Sequence, residues 1–340
     1  MNGNATIRHS GTALLAITGL EAPVIVPSSW FDEKLAASLR RLRLPHGLLQ
    51  RLAGVHERRW WDADTAFDDA AVAVGAKALA ESGVAVADVG LLINTSVTRA
   101  HLEPSVASKV HDGLGLPSTA LNFDLTNACL GFVNGLTLAA TLIDAGQIRY
   151  AVIVDGEDSR ITQEATLARL SGPDSTRQDF LDGFATLTLG SGAAAAVLGP
   201  VAEHPGGHRL LGGVTRAATE HHDLCVGGLD GMRTDPKALL AGGLELVLAA
   251  WHEAQPEWGW ARMDRYVMHQ ISRVHVDAIV EALGLDRSRV PVTFPRFGNV
   301  GPASLPLTLA GEVDSLTAGD RVLCMGVGSG LNTAMVEIAW

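Results

Sequence analysis

Apolar positions along this chain follow two rhythms. Residues 89–95, 120–124, 150–155, 209–217, 264–268, 321–326 and 332–339 are short, largely apolar runs rich in Val, Leu and Ile, the composition of strands buried on one or both faces. Residues 67–83, 236–254 and 273–284 instead place apolar side chains every three or four positions, as one face of a helix does. Read in order, the chain predicts strands within 11–26 and a helical stretch over 31–52, where Leu35, Leu39, Leu42 and Leu49 are interleaved with arginines. Helix 67–83, strand 89–95, helix 104–113, strand 120–124, a helix from Gly131, strand 150–155 and strands flanking Gly190-Ser191-Gly192 follow. The second half repeats that order with strand 209–217, helix 236–254, strand 264–268, helix 273–284, a strand near 290–294, helix 302–314 and two closing strands. Strands alternating with helices in two similar halves predict a layered α/β architecture, divided into residues 1–200 and 201–340. Residues 156–185 between them are polar and irregular in pattern, and predict an excursion over the functional site.

Composition adds bounds. The chain has 340 residues, 47% hydrophobic and only 19% charged, enough for two domain-sized cores. Its uncharged stretches 125–143 and 184–202 approach membrane-spanning length, but Asn127 and Asn134 interrupt one and glycines with Pro200 the other. A buried helix and core strands are the expectation, and not an integral membrane protein. Arg8 and His9 precede no continuous apolar core of signal-peptide type, so a cytoplasmic protein is expected. Cys129, Cys225 and Cys324 are far apart, odd in number and without metal-ligand spacing, which predicts reduced thiols, no metal, and structural roles for Cys225 and Cys324. A formal net charge of −11 argues against nucleic acid as a partner.

The chemistry centres on Cys129. It lies between the strand-like Leu121-Asn122-Phe123-Asp124-Leu125 and the helix-like segment from Gly131, the layout of a nucleophile elbow. A thiol at a helix N-terminus feels the partial charge of unpaired N–H groups, which predicts a lowered pKa. His269 and Asn299 each follow a short apolar stretch, where strand ends deliver side chains into a shared cleft. Together the three suit thioester chemistry: the thiolate accepts an acyl group while imidazole and amide hydrogen-bond an enolate oxygen. The glycines of Gly326-Val327-Gly328-Ser329-Gly330 fall between two closing strands, the wrong place for a phosphate loop. They predict close backbone approach to the thioester, with N–H groups of Cys129, Gly328 and Ser329 completing an oxyanion hole.

These segments resemble the thiolase superfamily, and within it the β-ketoacyl-ACP synthase III branch. The resemblance runs through Ala53-Gly54-Val55-His56-Glu57-Arg58-Arg59-Trp60, Asn127-Ala128-Cys129-Leu130-Gly131-Phe132, Gly190-Ser191-Gly192-Ala193-Ala194-Ala195, His269-Gln270 and Gly298-Asn299, in that order. It implies a thiolase fold, two similar βαβαβαββ halves in a five-layer αβαβα sandwich, working as a homodimer without a cofactor on coenzyme A thioesters. Two positions depart from the branch. Ile271-Ser272 stands where it has Ala-Asn, and Glu103 stands before Pro104-Ser105 where the decarboxylating synthases carry an apolar residue.

A glutamate there is similar to the OleA-type thiolases of olefin biosynthesis, which condense two fatty acyl-CoAs head to head. The stretches Val154-Asp155-Gly156-Glu157, Gly298-Asn299-Val300-Gly301-Pro302 and Gly326-Val327-Gly328-Ser329-Gly330-Leu331-Asn332 are similar to that group too. A malonyl donor makes its own carbanion by losing CO2, whereas a plain acyl-CoA needs a positioned base, and a glutamate with its pKa raised by an apolar acyl channel suits that task. The resemblance implies catalysis by Cys129, Glu103, His269 and Asn299, with the Glu103 loop reaching the partner subunit. The chain's own pattern adds the expectations that the 156–185 excursion lines an acyl tunnel and that Arg40, Arg43 or Arg58, in local basic clusters, hold CoA phosphates. It implies long-chain acyl-CoA as substrate and downstream enzymes of the same hydrocarbon pathway as partners. The alternatives are a decarboxylating β-ketoacyl-ACP synthase III, for which Glu103 is incidental, and a non-catalytic thiolase-fold partner subunit.

Overall fold

The structure, a computed structural model, describes residues 3–228 and 231–340. Its strands are β1 (Ala5–Arg8), β2 (Thr12–Glu21), β3 (Val24–Pro27), β4 (Glu57–Trp60), β5 (Val89–Asn94), β6 (Leu121–Asp124), β7 (Tyr150–Glu157), β8 (Gly192–Pro200), β9 (His208–Ala217), β10 (Cys225–Gly228), β11 (Gly231–Thr234), β12 (Arg265–Met268), β13 (Arg321–Gly328) and β14 (Asn332–Ala339). Its helices are α1 (Ser28–Lys34), α2 (Ala36–Leu42), α3 (Phe67–Ser82), α4 (Val106–Gly113), α5 (Gly131–Asp144), α6 (Arg160–Ser171), α7 (Arg177–Leu187), α8 (Pro236–Trp258), α9 (Arg273–Leu283), α10 (Phe294–Phe297) and α11 (Ser304–Glu312).

Ten strands form one sheet in the order β12-β13-β14-β9-β2-β8-β7-β5-β6, with β1 beside β9. The order β2-β8-β7-β5 recurs as β9-β14-β13-β12, and directions recur with it: two antiparallel pairs, then a parallel one. The two halves join where Ala13 and Leu14 of β2 pair with Arg209 and His208 of β9. β7 shows why these runs read as continuously apolar. Ala151 and Ile153 enter one core while Tyr150, Val152 and Val154 enter another, so both faces of the strand are covered.

Five layers result, as the resemblance implies. α5 and α11 lie between the half-sheets, where Phe132, Leu136, Leu305 and Leu309 share a core with Ile153 and Val336. α3 and α4 cover the first half-sheet through Val74, Leu79 and Val110. α8 and α9 cover the second through Val247, Trp251 and Val276. No helix among the described residues is long and apolar enough to cross a membrane.

Four local expectations need correction. The strand near 290–294 is absent: residues 290–293 carry no regular structure before α10. Pro291 removes a ladder donor, and the Gln270 side chain takes the role of a neighbouring strand, donating to Pro291 O (3.3 Å) and accepting from Thr293 N (2.8 Å). Residues 156–185 are not irregular, since α6 and α7 occupy most of the segment. Their polar outer faces mask an apolar side, where Leu167, Leu170, Phe180 and Leu187 pack against Phe31, Leu39 and Trp60. The helical stretch 31–52 is broken into α1, α2 and a π-turn at Leu49–Ala53, with Arg43 in the left-handed region (φ 53°) where α2 ends. Gly190-Ser191-Gly192 has a strand only on its C-terminal side. The residues before it run beside the Asn299 loop, and a Cβ on Gly190 would sit 1.8 Å from Phe297 O.

Gly156 marks the tightest contact between α3 and β7, because a Cβ there would lie 2.2 Å from the Phe67 carbonyl oxygen. Gly156→Ala is expected to lower stability by at least the ~1–3 kcal/mol typical of overpacking. Chemical denaturation measures this, and an unchanged midpoint would contradict the α3–β7 packing.

Candidate active site

The elbow forms where β6 ends. Leu125 N–H still reaches Asn94 O (2.9 Å), after which Ala128 turns into the left-handed region (φ 45°) and the N–H groups of Leu130 and Gly131 fold back on Asn127 O and Ala128 O. A non-glycine residue in that conformation is strained and persists only when its surroundings fix it. Here they do. Asn127 donates to Asn134 Oδ1 (2.8 Å) and accepts from Asn332 Nδ2 (3.3 Å). On the other side a Cβ on Gly326 would lie 2.4 Å from Leu130 Cδ1, and one on Gly328 2.9 Å from Asn127 O. The sequence pattern predicts that these glycines let backbone approach the thioester; what they admit is the elbow itself.

Cys129 stands just before Leu130, the N-cap of α5, and is half-buried. Its thiol does not show the lowered pKa expected from the helix terminus. Burial foremost, then the neighbouring Cys225, Glu157 and Asp155, push it up, opposed only by the hydrogen bond from its own N–H. The resting nucleophile is therefore a thiol that must lose its proton as it attacks.

His269 follows β12, and its N–H donates to Met325 O (2.9 Å), one residue from Gly326. The ring is buried; burial, then neighbouring His275, hold its pKa at about 3, so the imidazole is neutral at physiological pH. Nδ1 has no hydrogen-bond partner among the described residues. The departure at Ser272 is structural: its hydroxyl pairs with His275 Nδ1 (2.8 Å).

Asn299 is held by backbone on both sides, its N–H donating to Thr188 O and its carbonyl accepting from Gly190 N (both 2.9 Å). Its Oδ1 accepts from Gly301 N (3.0 Å) and from Ser304 Oγ (3.4 Å), which orients the amide and leaves Nδ2 as the free donor among the described residues. The loop then passes Glu157, whose Cδ would be 3.5 Å from a Cβ on Gly301. Through these contacts the elbow, the His269 strand end and the Asn299 loop converge at one end of the sandwich.

Glu103 does not join them within the chain. His101, Leu102, Glu103 and Pro104 are all exposed, Leu102 by 97%, and the described residues do not supply the expected apolar surroundings of Glu103. Arg58, a candidate for CoA on sequence grounds, is sealed off instead. It is 0% exposed, stacked on Phe31, and donates to Val26 O, Ser28 Oγ and Leu187 O. Arg40 and Arg43 are exposed. A cleft of about 580 Å³ opens beside Asn127 and Asn134, but Arg216, Glu220, His221 and Glu245 line it, a surface too polar for an acyl chain.

Sequence reasoning misses three residues near the thiol. Cys225, expected to be structural, is half-buried in the β10–β11 hairpin, bonds Ser329 and bears on Cys129; only tertiary contact brings it there. Asp155 and Glu157 do leave a signal, two carboxylates two residues apart in an apolar strand and hence on the same face. Asp155 is completely buried and accepts from Thr95 Oγ1 (2.5 Å); burial, then Glu157, raise its pKa well above the usual range. Glu157 accepts from Val97 N (2.5 Å), Thr98 N (3.1 Å) and Thr98 Oγ1 (2.5 Å), and burial still pushes it up to about 7.

Comparison with known proteins agrees with this geometry. Residues 254–340 match the family described as 3-oxoacyl-[acyl-carrier-protein] synthase III C terminal, and residues 123–166 match 3-oxoacyl-[acyl-carrier-protein] synthase III. The acyl-CoA:acyl-CoA alkyltransferase of Xanthomonas campestris is 42% identical over 96% of this chain and 98% of its own. That of Shewanella oneidensis is 36% identical over 94% and 96%. A crystal structure of a cysteine-to-serine variant of Xanthomonas campestris OleA with bound lauric acid and lauroyl-CoA matches at TM-score 0.96 and 40% identity, covering 98% of this chain and 100% of that one. The chain belongs to the acyl-CoA:acyl-CoA alkyltransferase (OleA) family of thiolase-fold condensing enzymes.

Proposed function

We propose that the protein joins two long-chain fatty acyl-CoAs by a Claisen condensation without decarboxylation, as a homodimer in the cytoplasm and as the first step of a hydrocarbon pathway whose later enzymes consume its product. The observations that carry this reading are a neutral, buried His269 whose backbone is seated on the strand that closes against the elbow, and an Asn299 amide whose oxygen is held so that its Nδ2 is left to donate. Two neutral donors suit an oxygen that becomes anionic only during reaction.

In the first half-reaction Cys129 Sγ attacks the thioester carbonyl of one acyl-CoA while its proton moves to the departing CoA sulfur, so that CoA leaves as the thiol and His269 stays neutral with its proton on Nε2. The tetrahedral oxyanion is received by the N–H groups of Cys129, Gly328 and Ser329. In the second, Glu103 of the partner subunit takes the α-proton of another acyl-CoA, and His269 Nε2–H and Asn299 Nδ2–H hold the enolate oxygen. The enolate carbon attacks the acyl-Cys129 carbonyl and Cys129 leaves as thiolate, which takes up the proton that Glu103 removed and so restores both groups. The product is a 2-alkyl-3-ketoacyl-CoA, or the β-keto acid once its thioester is hydrolysed.

Assignment of the base to Glu103 draws support from the state of the alternatives. Both oxygens of Glu157 are occupied by donors, and Asp155 is sealed from solvent beside Thr95. A dimer is supported by the unpaired outer edge of β6 and by exposed apolar side chains on and around the Glu103 loop, Val97 (49%), Leu102 (97%) and Leu121 (54%). OleA structures have been solved with substitutions at a cysteine, a histidine and a glutamate, the same residue types as Cys129, His269 and Glu103. Arg40 and Arg43, exposed near the end of α2, are assigned to the CoA phosphates.

Intact-protein mass after mixing with a long-chain acyl-CoA should show an acyl adduct on the wild type and none on Cys129→Ala; an undiminished adduct would remove the thiol from the mechanism. Glu103→Gln should form that adduct and release about one CoA per site, then stop before carbon–carbon bond formation. Asn299→Ala should slow condensation about 10²–10³-fold, the usual cost of one oxyanion donor. Steady-state product formation reads the last two, and a normal rate in either variant strips that residue of its catalytic role.

A further inference from the structure

The loop that presents Glu103 is mounted at both ends by carboxylates. At its start, Val97 N, Thr98 N and Thr98 Oγ1 all donate to Glu157 at the end of β7, and Asp158 N donates to Thr98 Oγ1 (3.1 Å). At its far end, Asp124 accepts from Val106 N (3.0 Å) and Ala107 N (2.9 Å) at the start of α4, and pairs with Arg99 (3.4 Å) inside the loop. Between these anchors residues 101–104 are exposed and take no hydrogen bond or ion pair from the described residues. The position of Glu103 in space is therefore set by its two mounts.

Glu157 differs from Asp124 in what else it touches. It lies against Gly301, whose N–H orients the Asn299 amide, and its charge reaches Cys129. Burying a carboxylate this close to a nucleophile opposes thiolate formation, so its presence calls for a compensating role. The three donors that converge on it supply one. From this geometry we infer that Glu157 is a positioning residue for condensation: it holds the Glu103 loop of its own chain in the form that delivers Glu103 to the partner's active site. Glu157 thus acts in trans, on the site opposite the Cys129 it adjoins. The inference rests on the assignment of Glu103 as the partner-supplied base.

Glu157→Gln keeps the size of the side chain but leaves one acceptor oxygen where there were two and turns an NH2 group toward the remaining donor, so the mount is weakened on one side. The variant should form the acyl-Cys129 adduct to the same extent as wild type, while condensation falls about 100-fold, the scale of a ~1 Å misplacement of a reacting group. Thr98→Val, which removes the hydroxyl that donates to Glu157 and accepts from Asp158 N but keeps both backbone donors, should give a smaller loss in the same direction and guards against a Glu157→Gln chain that does not fold. The direction of action is read in mixed dimers of one Cys129→Ala chain and one Glu103→Ala chain, in which the only complete site joins Cys129 of the second to Glu103 of the first. Adding Glu157→Gln to the Cys129→Ala chain should abolish most of the condensation, and adding it to the Glu103→Ala chain should leave it within about twofold. Equal loss in both arrangements, loss only in the second, or no loss in either would overturn the inference. Absence of condensation in the unsubstituted wild type with acyl-CoA alone would instead defeat the reading on which it rests.

Discussion

The left-handed turn at Ala128 holds Cys129 at the head of α5, and it exists because backbone from three directions comes within contact of it. Gly131 lets the start of the helix settle against Thr95 O and Leu125 O, where a Cβ would be 3.1 and 3.2 Å away, and Gly326 and Gly328 let β13 close from the other half-sheet. The Asn127 side chain then ties the turn to Asn134 and Asn332. Because β13 carries the backbone bond that seats His269, the nucleophile and the imidazole are positioned by the same strand. The proposed mechanism places the chemistry at this seam between the two halves, since neither half alone carries an elbow, an imidazole and a free amide.

Burial decides the electrostatics of that seam. It keeps His269 neutral and Cys129 protonated, and it drives the Asp155 and Glu157 carboxyls toward their neutral forms. A site of this kind holds little charge at rest and responds to charge that appears during reaction, which suits acyl transfer and enolate formation. Of the two carboxylates that bear on the thiol, Glu157 has both oxygens occupied by donors, and Asp155 is sealed from solvent with Oδ2 held by Thr95. In the proposed condensation the base is therefore Glu103, on an exposed loop, supplied by a second copy of the chain.

Much of this is legible in the sequence for physical reasons. Strands buried on both faces, such as β7, write uninterrupted apolar runs, and helices of the outer layers write a period of three to four, so the alternation shows through. Cys129 stands out because it falls between a strand-like and a helix-like segment, and His269 and Asn299 because each follows a short apolar stretch. The segment near 290–294 reads wrongly as a strand because its pattern is apolar while Pro291 and the Gln270 side chain, far apart in sequence, satisfy its backbone otherwise. Arg58 reads wrongly as a phosphate ligand because its burial depends on Val26, Ser28 and Leu187, three segments that no local pattern connects. The helices α6 and α7 hide behind polar outer faces, and Cys225 is brought to the thiol by a hairpin whose docking has no local signature.

The claim on which the mechanism turns is that the carbanion arises by proton removal and not by loss of CO2. The sharpest test is to incubate the purified wild-type protein with one long-chain acyl-CoA as sole substrate, while following free CoA, CO2 and lipid by mass spectrometry. Proton removal predicts steady release of CoA beyond the first turnover, together with a β-keto product or the ketone derived from it whose carbon skeleton comes from two acyl chains. CoA release that stops after about one equivalent per site, with turnover restored and CO2 evolved only when a malonyl thioester is added, would contradict it.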